Sequence, residues 1–415
     1  MLFDNINLKR QYIVYLKNKV EYTNFWLYII TYSFGYLLLT YSDRYEKACI
    51  VVMGGSLIGI IYSIVKIYKS RFTNNYFKFT FVLFMIWQIH ILYTGIHDFS
   101  IGIAILYSYI RNPFSFISYL VPLIVLIPVN IFFIKKMFDY FTLLTIPLFF
   151  ILAIFFNQIL FTNQNFSEQT VWTLGTGAGF LLLNWVYQKR KRKIIAISAI
   201  LLSLFISAVM ARRNIMLTFS NYIIFSVLLI LFNSKQSIQK KISILFVLLL
   251  TISMIYYTFV TYQDKFFAKI TGRIDDNTRE GLFPAFFSDM TSQDLIYGKG
   301  FDGTYYAPGN EVDKDYRSEI ECGYLQMLLK GGVINLVLFL LIAFPAIFLG
   351  FFKSNNIICK TSGTIVLLWL IDMFPWGMPG LSIRYILLWT CIGICYSKEL
   401  RNLTETEIKI YLNAI

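Results

Sequence analysis

The sequence predicts an all-α polytopic membrane protein with about twelve transmembrane helices and one large external loop between the ninth and tenth spans. Two observations carry this prediction. Of the 415 residues, 57% are hydrophobic and only 14% are charged, and the mean hydropathy of +0.62 is far above that of a soluble globular chain. The apolar residues also fall into separate segments of about 20 residues, which is the length that a helix needs to cross a bilayer.

The predicted spans follow one another with short polar connections, except at one place. In order, they cover residues 24–41, 48–68, 77–96, 115–134, 139–160, 171–187, 193–210, 213–232, 242–262, 333–352, 359–374 and 380–397. The segments at 171–187 and 359–374 are short enough to be re-entrant instead. The chain therefore divides into 1–262 with nine spans, an external loop 263–332, and 333–415 with three spans and a tail.

The distribution of positive charge predicts the orientation of these spans. Lys and Arg near span ends resist translocation, so cytoplasmic segments hold most of them. With the N-terminus in the cytoplasm, 23 of the 37 basic residues fall in cytoplasmic segments, and the short outside loops hold only Arg44, Lys47, Arg111, Arg212, Arg213 and Arg384. We expect both termini in the cytoplasm and the loop outside. Because topology explains the net charge of +14, no nucleic acid is expected as a partner.

The loop 263–332 is the predicted functional region. It contains eight of the 37 basic residues and twelve of the 23 acidic residues. A loop this long and this rich in ionisable side chains usually has a function beyond connecting two helices.

Two adjacent arginines, Arg212 and Arg213, lie at the outer end of the seventh predicted span. Charged side chains near bilayer depth tend to face a cavity, a partner or a ligand, and a guanidinium group can bind phosphate oxygens in pairs. The pair therefore indicates a phosphate site, without deciding which arginine contributes. Arg384, near the outer end of the last span, is a third candidate. The alternative for all three is contact with lipid headgroups.

Two further arginines, Arg273 and Arg279, belong to a polar run of the loop. Arg279 precedes the apolar stretch 282–287, which is suited to lie on the membrane surface and hold the arginine just above the bilayer. That position fits a lipid-linked phosphate. The alternative is a solvated charge paired with one of the loop acids, and it is favoured for Arg273.

Three glycines, Gly298, Gly300 and Gly303, have the spacing G-x-G-x-x-G. A dinucleotide site would also need a βαβ unit, which the surrounding sequence does not predict. The pattern instead favours a tight turn that presents backbone N–H groups, with Tyr305 and Tyr306, to a sugar or a phosphate. The alternative is a turn without a ligand.

A helix is predicted to begin within 315–326 and to run to Lys330, where the two following glycines end it. At its start, Glu321 is a candidate general base that takes a proton from a sugar hydroxyl. The alternative is a capping box with Ser318. A helix would point Glu319 and Glu321 in different directions, which disfavours a hydrolase with paired carboxylates.

The sequence predicts no metal site and no cofactor. His90 and His97 lack the neighbouring acidic residues of a zinc motif, and the five cysteines lack metal-ligand spacing. We expect these residues to be structural.

In the loop, three stretches resemble the Wzy-type O-antigen polymerases and the related O-antigen ligases: Arg279–Phe283, Tyr297–Gly303 and Glu321–Ile334. They are similar to the family's arginine before an aromatic residue, its Gly-x-Gly turn, and its His-Asn-x-Tyr-Leu-Gln-like helix start with a glycine before the next span. An arginine at the outer end of a middle span completes the resemblance. It is specific over about residues 205–350 and topological elsewhere.

The resemblance implies an inverting, metal-independent glycosyltransferase that uses a polyprenyl-diphosphate-linked oligosaccharide, with its active site facing the periplasm from the inner membrane. By position, Glu321, Arg279 and Arg212 would be catalytic. The further substrate-binding candidates are Arg213, Arg273, Arg317, Tyr305, Tyr324 and Arg384. Glu321 stands where the family often has histidine, which is a stronger base in an ordinary environment. Arg317 would either hold Glu321 in place or keep it ionised and inert.

A polymerase and a ligase share this donor, and they differ in the acceptor, which is a second lipid-linked repeat unit or the lipopolysaccharide core. The replaced histidine and the modestly acidic loop favour the polymerase. A transporter of lipid-linked oligosaccharide is the alternative of a different class, and internal repeats with charges near mid-membrane would be typical of it. The expected partners are the lipid-linked substrate and membrane lipids. A chain-length regulator is a further candidate partner.

Overall fold

The computed structural model describes residues 6–67, 74–95, 114–155, 163–231, 282–307 and 315–414, with the isolated residues 110, 112, 239 and 242. These residues are mainly helical. The α-helices are α1 Ile6–Tyr41, α2 Glu46–Ile67, α3 Asn75–Gly95, α4 Ile131–Ile154, α5 Gln164–Leu183, α6 Arg190–Val209, α7 Arg213–Leu231, α8 Leu282–Asp289, α9 Ser292–Tyr297, α10 Gly323–Phe352, α11 Ile357–Asp372, α12 Ile383–Tyr396, α13 Lys398–Asn402 and α14 Glu405–Ala414. The 3₁₀ helices are Asp43–Tyr45, Phe116–Leu126 and Trp185–Tyr187, and the strands are β1 Tyr305–Tyr306 and β2 Tyr316–Arg317.

The protein is membrane-embedded and helical, as predicted. Among the described residues, α2, α3, α4, α6, α7 and α10 are long and apolar enough to span a bilayer. Large apolar side chains stand exposed along them, including Val51, Ile58 and Phe79, because the surrounding lipid is as apolar as they are. The count of twelve stays a prediction, and its ninth span, 242–262, lies outside the described residues except for Ile242.

The fourth predicted span, 115–134, is not one α-helix. It consists of the long 3₁₀ helix Phe116–Leu126, a short non-helical connection, and the first turn of α4. Pro122 lies within the 3₁₀ helix and Pro128 lies in the connection, and proline removes the N–H that an α-helix needs. Eleven residues at a rise of about 2.0 Å still cover about 22 Å, so this segment crosses much of the bundle. The fifth span consequently begins at Ile131 rather than at residue 139.

The last two predicted spans correspond to α11 and α12, which are short for membrane helices. Nearly all of their residues are buried, as in α12, where only Gly393 is partly exposed. Its central Trp389 packs against Phe84 of α3 with ring centroids 5.4 Å apart. These helices lie inside the bundle and are covered by longer neighbours.

The helix that was predicted to begin within 315–326 begins late in that stretch, at Gly323, after the N-cap residue Cys322, and no side chain caps it. The predicted stop at the two glycines is a break rather than an end. Gly332 is non-helical, and α10 resumes after it and runs to Phe352. The capping box of Ser318 and Glu321 therefore does not form, because both residues precede the helix.

Segments 282–307 and 315–322 of the predicted external loop form a small unit, which we call the external unit. It lies at one end of the bundle, and we call that end the loop end. The two segments share an apolar core that is separate from the main one and includes Phe286, Tyr305 and Ile320. Strands β1 and β2 pair antiparallel within the unit, Tyr305 opposite Arg317. The unit packs on α10, whose residue Leu329 completes this core.

The opposite end of the bundle carries the basic starts of α4 and α6 and the C-terminal helices. Arg192 of α6 forms an ion pair with Asp139 of α4, and the Tyr187 hydroxyl donates to the Glu405 carboxylate of α14. Three of the segments that the charge distribution places on one side thus lie together among the described residues. Which side faces the cytoplasm remains a prediction.

Candidate functional site at the loop end

The glycine turn after α9 is bound to helices rather than open to a ligand. The N–H groups of Lys299 and Gly300 donate to the carbonyls of Leu329 and Lys330 at 2.7 and 3.1 Å, and the N–H of Phe301 donates to a carbonyl of α3 at 3.0 Å. The expectation that this turn presents N–H groups to a substrate is therefore wrong. The turn instead satisfies carbonyls that the break in α10 leaves without helical partners.

The approach between the turn and the helices requires glycine at several positions. Gly298 and Gly300 both have φ of +78°, a region that side chains rarely adopt. A Cβ atom on Gly95 of α3 would lie 2.0 Å from the N atom of Phe301. Immediately before the break, the Trp87 indole donates to the Gly331 carbonyl at 2.8 Å. The external unit is thus held on α3 and α10 by backbone contacts.

Lys330 lies at the centre of this junction and is only 8% exposed. Its ammonium group donates to the carbonyls of Phe301 and Gly303, both at 2.8 Å. The carboxylates of Asp302 and Glu319 act on it electrostatically. Sequence analysis did not single it out as a site residue. The available signal was a lysine next to an apolar membrane segment, where a charge needs partners.

A cavity of about 130 Å³ opens beside Lys330, and we call it the polar cavity. Its lining mixes carboxylates, amides, hydroxyls and aromatic rings from α3, the 3₁₀ helix, the external unit, α10 and α12. The lining residues that carry polar groups are Gln88, Asn112, Ser118, Tyr119, Asp302, Ser318, Glu319, Gln326, Lys330, Asn335 and Tyr385. This composition suits a polar ligand, because many hydrogen-bonding groups face one space.

The structure distinguishes the two adjacent arginines. They follow a sharp turn at Ala211, which has φ of +57°. The Nε atom of Arg212 lies 3.1 Å from the Glu168 carboxylate, and these side chains are 32% and 15% exposed. Arg213 begins α7 as an exposed residue. Arg212 therefore faces the protein, whereas Arg213 is exposed. The sequence alone did not distinguish the two.

Glu168 is a site residue that sequence analysis missed, because it precedes the sixth predicted span and belongs to no motif. Burial raises the pKa of its carboxyl above the ordinary value, while the charge of Arg212 opposes that shift and the charge of Glu321 adds to it. Glu319 and Glu168 both act electrostatically on Tyr36 of α1. Arg212 and three carboxylates thus form one electrostatic group at the loop end.

The segment before α10 presents Glu319 and Glu321 together. Both are exposed, while Ile320 between them and Cys322 after them are buried. The chain turns at Glu321, where the Cys322 N–H donates to the Ile320 carbonyl at 2.7 Å. The helix on which the expected directions of the two carboxylates depended does not form here, because α10 begins only at Gly323. Of the two, Glu319 lines the polar cavity.

Arg384 is not a headgroup anchor, because it is only 6% exposed. One Nη atom lies 2.6 Å from the carboxylate of Asp372, which is also buried. The guanidinium carbon stands 3.8 Å from the ring centre of Trp172, with Trp376 at 5.7 Å. Arg384 lines a second, smaller cavity of about 50 Å³, which shares Phe114 with the polar cavity.

The two candidate tyrosines are packing residues. Tyr305 is fully buried, with its ring 5.6 Å from that of Phe286. The hydroxyl of Tyr324 donates to the Leu370 carbonyl at 2.7 Å and joins the start of α10 to α11. Neither lines the two cavities described above. Arg317 is half-buried on β2.

The predicted arginines Arg273 and Arg279 lie outside the described residues. Within the described part of the chain, no group of three or more His, Cys, Asp and Glu side chains is placed to hold a metal ion. His90 is described near the end of α3, with its ring against Trp87 at 4.6 Å.

Compared with known proteins, the chain matches no protein-family model, and no curated protein or solved structure is significantly similar to it. The fold and composition define a membrane-embedded helical protein. Its charged residues and polar cavity at one end make the loop end the candidate site.

Proposed function

We propose that the protein is an inverting glycosyltransferase that polymerises polyprenyl-diphosphate-linked oligosaccharide units into O-antigen or capsular polysaccharide. The observation that supports this proposal is the group at the loop end, where Arg212, Glu168 and Glu321 adjoin. In the proposed orientation, the loop end faces the periplasm from the cytoplasmic membrane and both termini are cytoplasmic.

The reaction needs a base at one side of the anomeric carbon and cations at the other. A hydroxyl of the acceptor attacks the anomeric carbon, a new C–O bond forms, and the bond to the diphosphate oxygen breaks. Glu321 takes the hydroxyl proton. Glu168 lies 3.1 Å from the Nε atom of Arg212 and holds that guanidinium group in place. Arg212, with Arg279 from the loop, stabilises the charge on the leaving diphosphate.

Other predicted residues take supporting roles in this proposal. Arg213, Arg273 and Arg317 remain candidates for contact with the diphosphate or the glycan. Arg384 would act only indirectly, by holding the rings of Trp172 and Trp376 in place, because its guanidinium is paired with Asp372. Tyr305 and Tyr324 hold the external unit on the bundle.

One observation favours a second candidate, a transporter of lipid-linked oligosaccharide. α10 is interrupted at Gly332, and interrupted membrane helices are typical of transporters. The interruption lies at the loop end, however, where the external unit covers its carbonyls. This position fits an enzyme whose site is at one membrane surface.

The test is a polymerisation assay with the purified protein in liposomes, the lipid-linked repeat unit of its own host, and a chelator. We expect a ladder of longer glycans from the wild type, no ladder from Arg212→Ala or Arg279→Ala, and a large loss of rate with Glu321→Gln. Arg44→Ala is the control, since Arg44 is exposed in the 3₁₀ helix between α1 and α2. If extension survives Glu321→Gln, then Glu321 is not the base.

Two outcomes would refute the polymerase. Transfer only to a lipopolysaccharide core, with no ladder, would identify a ligase. Movement of the lipid-linked unit across the liposome bilayer, with no new glycosidic bond, would identify a transporter.

A further inference from the structure

The polar cavity has no role in the chemistry assigned to Arg212, Glu168 and Glu321. A cavity that holds a single water has a volume of about 10–15 Å³. The polar cavity, at about 130 Å³, therefore has room for far more than one water. We propose that this cavity binds one ring of the acceptor glycan and selects uncharged or amino sugars over uronic acids. This inference rests on the proposed function.

The lining supplies the groups that bind a sugar ring. Carboxylates and amide oxygens accept hydrogen bonds from hydroxyls, and the rings of Tyr119 and Tyr385 provide apolar walls. Several of the amides are already held in place, since Gln88 donates to the Asn335 side chain at 2.8 Å and Gln326 accepts from the Ile320 N–H at 2.9 Å. Such fixed groups lose little conformational entropy when a ligand binds.

The charges of the lining determine the selectivity. Two carboxylates, Asp302 and Glu319, face one ammonium group, that of Lys330. Two donor positions of Lys330 are already occupied by the carbonyls of Phe301 and Gly303. A carboxylate on the ligand would meet two like charges and only a partly available cation. A neutral ring avoids this repulsion, and an ammonium group on the ring would be attracted.

The position of the cavity identifies the ring as the acceptor. Glu319 lines the cavity, and Glu321, which is also exposed, follows two residues later in the same short segment. A ring in the cavity therefore has its hydroxyls near the proposed base. The diphosphate would lie at Arg212, on the far side of the carboxylates, where the donor is expected.

Thiol labelling of the full-length protein in nanodiscs tests this site directly. All five natural cysteines are buried, so the wild type provides a low background. Ser318 is exposed and lines the cavity, whereas Ser288 is exposed on α8 and lies outside the lining. Ser318→Cys and Ser288→Cys would be labelled with a small methanethiosulfonate in the presence of methyl glucoside, glucosamine or glucuronate at matched ionic strength.

We expect methyl glucoside and glucosamine to slow labelling of Ser318→Cys several-fold, glucuronate to have little effect, and Ser288→Cys to be insensitive. Adding Asp302→Asn should raise the protecting sugar concentration roughly tenfold or more, because a hydrogen bond to a charged group is lost. Asp315→Asn is the matched control, since Asp315 is exposed in the same unit and outside the lining.

Equal protection by glucuronate and glucosamine would overturn the selectivity. Absence of protection by all three sugars, or equal protection of Ser288→Cys, would overturn the site. Because labelling needs no turnover, these outcomes are independent of the polymerisation assay. Sugar protection without glycan extension would refute only the proposed function, and extension without protection would refute only this inference.

Discussion

Replacing Gly332 with alanine should release the external unit from α10. Gly332 has φ of +65° and ψ of −172°, a region that is essentially restricted to glycine and costs other residues about 1–3 kcal/mol. The added Cβ would also lie 2.1 Å from the carbonyl oxygen of Ile296. Since that neighbour is backbone, α9 must move away from the break.

The movement would break the hydrogen bonds that join the glycine turn to α10, which are those of the Lys299 and Gly300 N–H groups. Each contributes about 1 kcal/mol net. With the backbone strain, the local free energy of opening should fall by roughly 3–5 kcal/mol. This corresponds to amide exchange at least about 100-fold faster at these positions, because 1.4 kcal/mol is a factor of ten.

Hydrogen exchange with mass spectrometry on the protein in nanodiscs measures this effect. We expect faster exchange in peptides covering 298–303, with little change in α11 and α12. Gly55→Ala is the control, because a Cβ there meets nothing within 4 Å. If Gly332→Ala folds and peptides 298–303 exchange as in the wild type, the glycine junction does not hold the external unit, and our reasoning is refuted.

Three further predictions concern the buried charges. Arg212→Ala and Glu168→Gln together should lower the midpoint of thermal unfolding by less than the sum of the two single changes. We expect a coupling energy of about 1 kcal/mol, because the pair is only partly exposed. Strict additivity would contradict the ion pair. Arg384→Met should cost about 3–5 kcal/mol, since it leaves the buried Asp372 without its cation. The double variant with Asp372→Leu should recover a monodisperse peak in size-exclusion chromatography, and no recovery would contradict this account. Lys330→Met should leave two carbonyls without a donor and lower the unfolding midpoint by an amount equivalent to about 2–4 kcal/mol; an unchanged midpoint would contradict its role as an anchor.

Much of the fold was predictable because hydropathy and charge are properties of short stretches. Spans such as 48–68, 193–210 and 213–232 agree with α2, α6 and α7 within a few residues. The same reasoning fails at 115–134, where Pro122 and Pro128 change the helix type while the hydropathy stays high.

The candidate site was predictable only in its location. The charge distribution assigns Arg212, Arg384 and the loop to the same side of the membrane, and the structure brings them to one end of the bundle. The partners of these residues are far away in sequence, as with Glu168 for Arg212, and no local pattern identifies them. No local pattern identifies the partners of the glycine turn either, because its N–H groups donate to carbonyls of α3 and α10.

By itself, the sequence determined that this is a helical membrane protein with its ionisable residues concentrated between the apolar segments and in one long loop, because a bilayer imposes length and polarity on each segment separately. Only the tertiary structure decided which charges are paired, which carboxylate lines a cavity and which glycines hold the external unit. Those outcomes depend on distances between segments that are remote along the chain. Lys330 shows the difference, since it is an isolated lysine in the sequence and the centre of a junction in the fold.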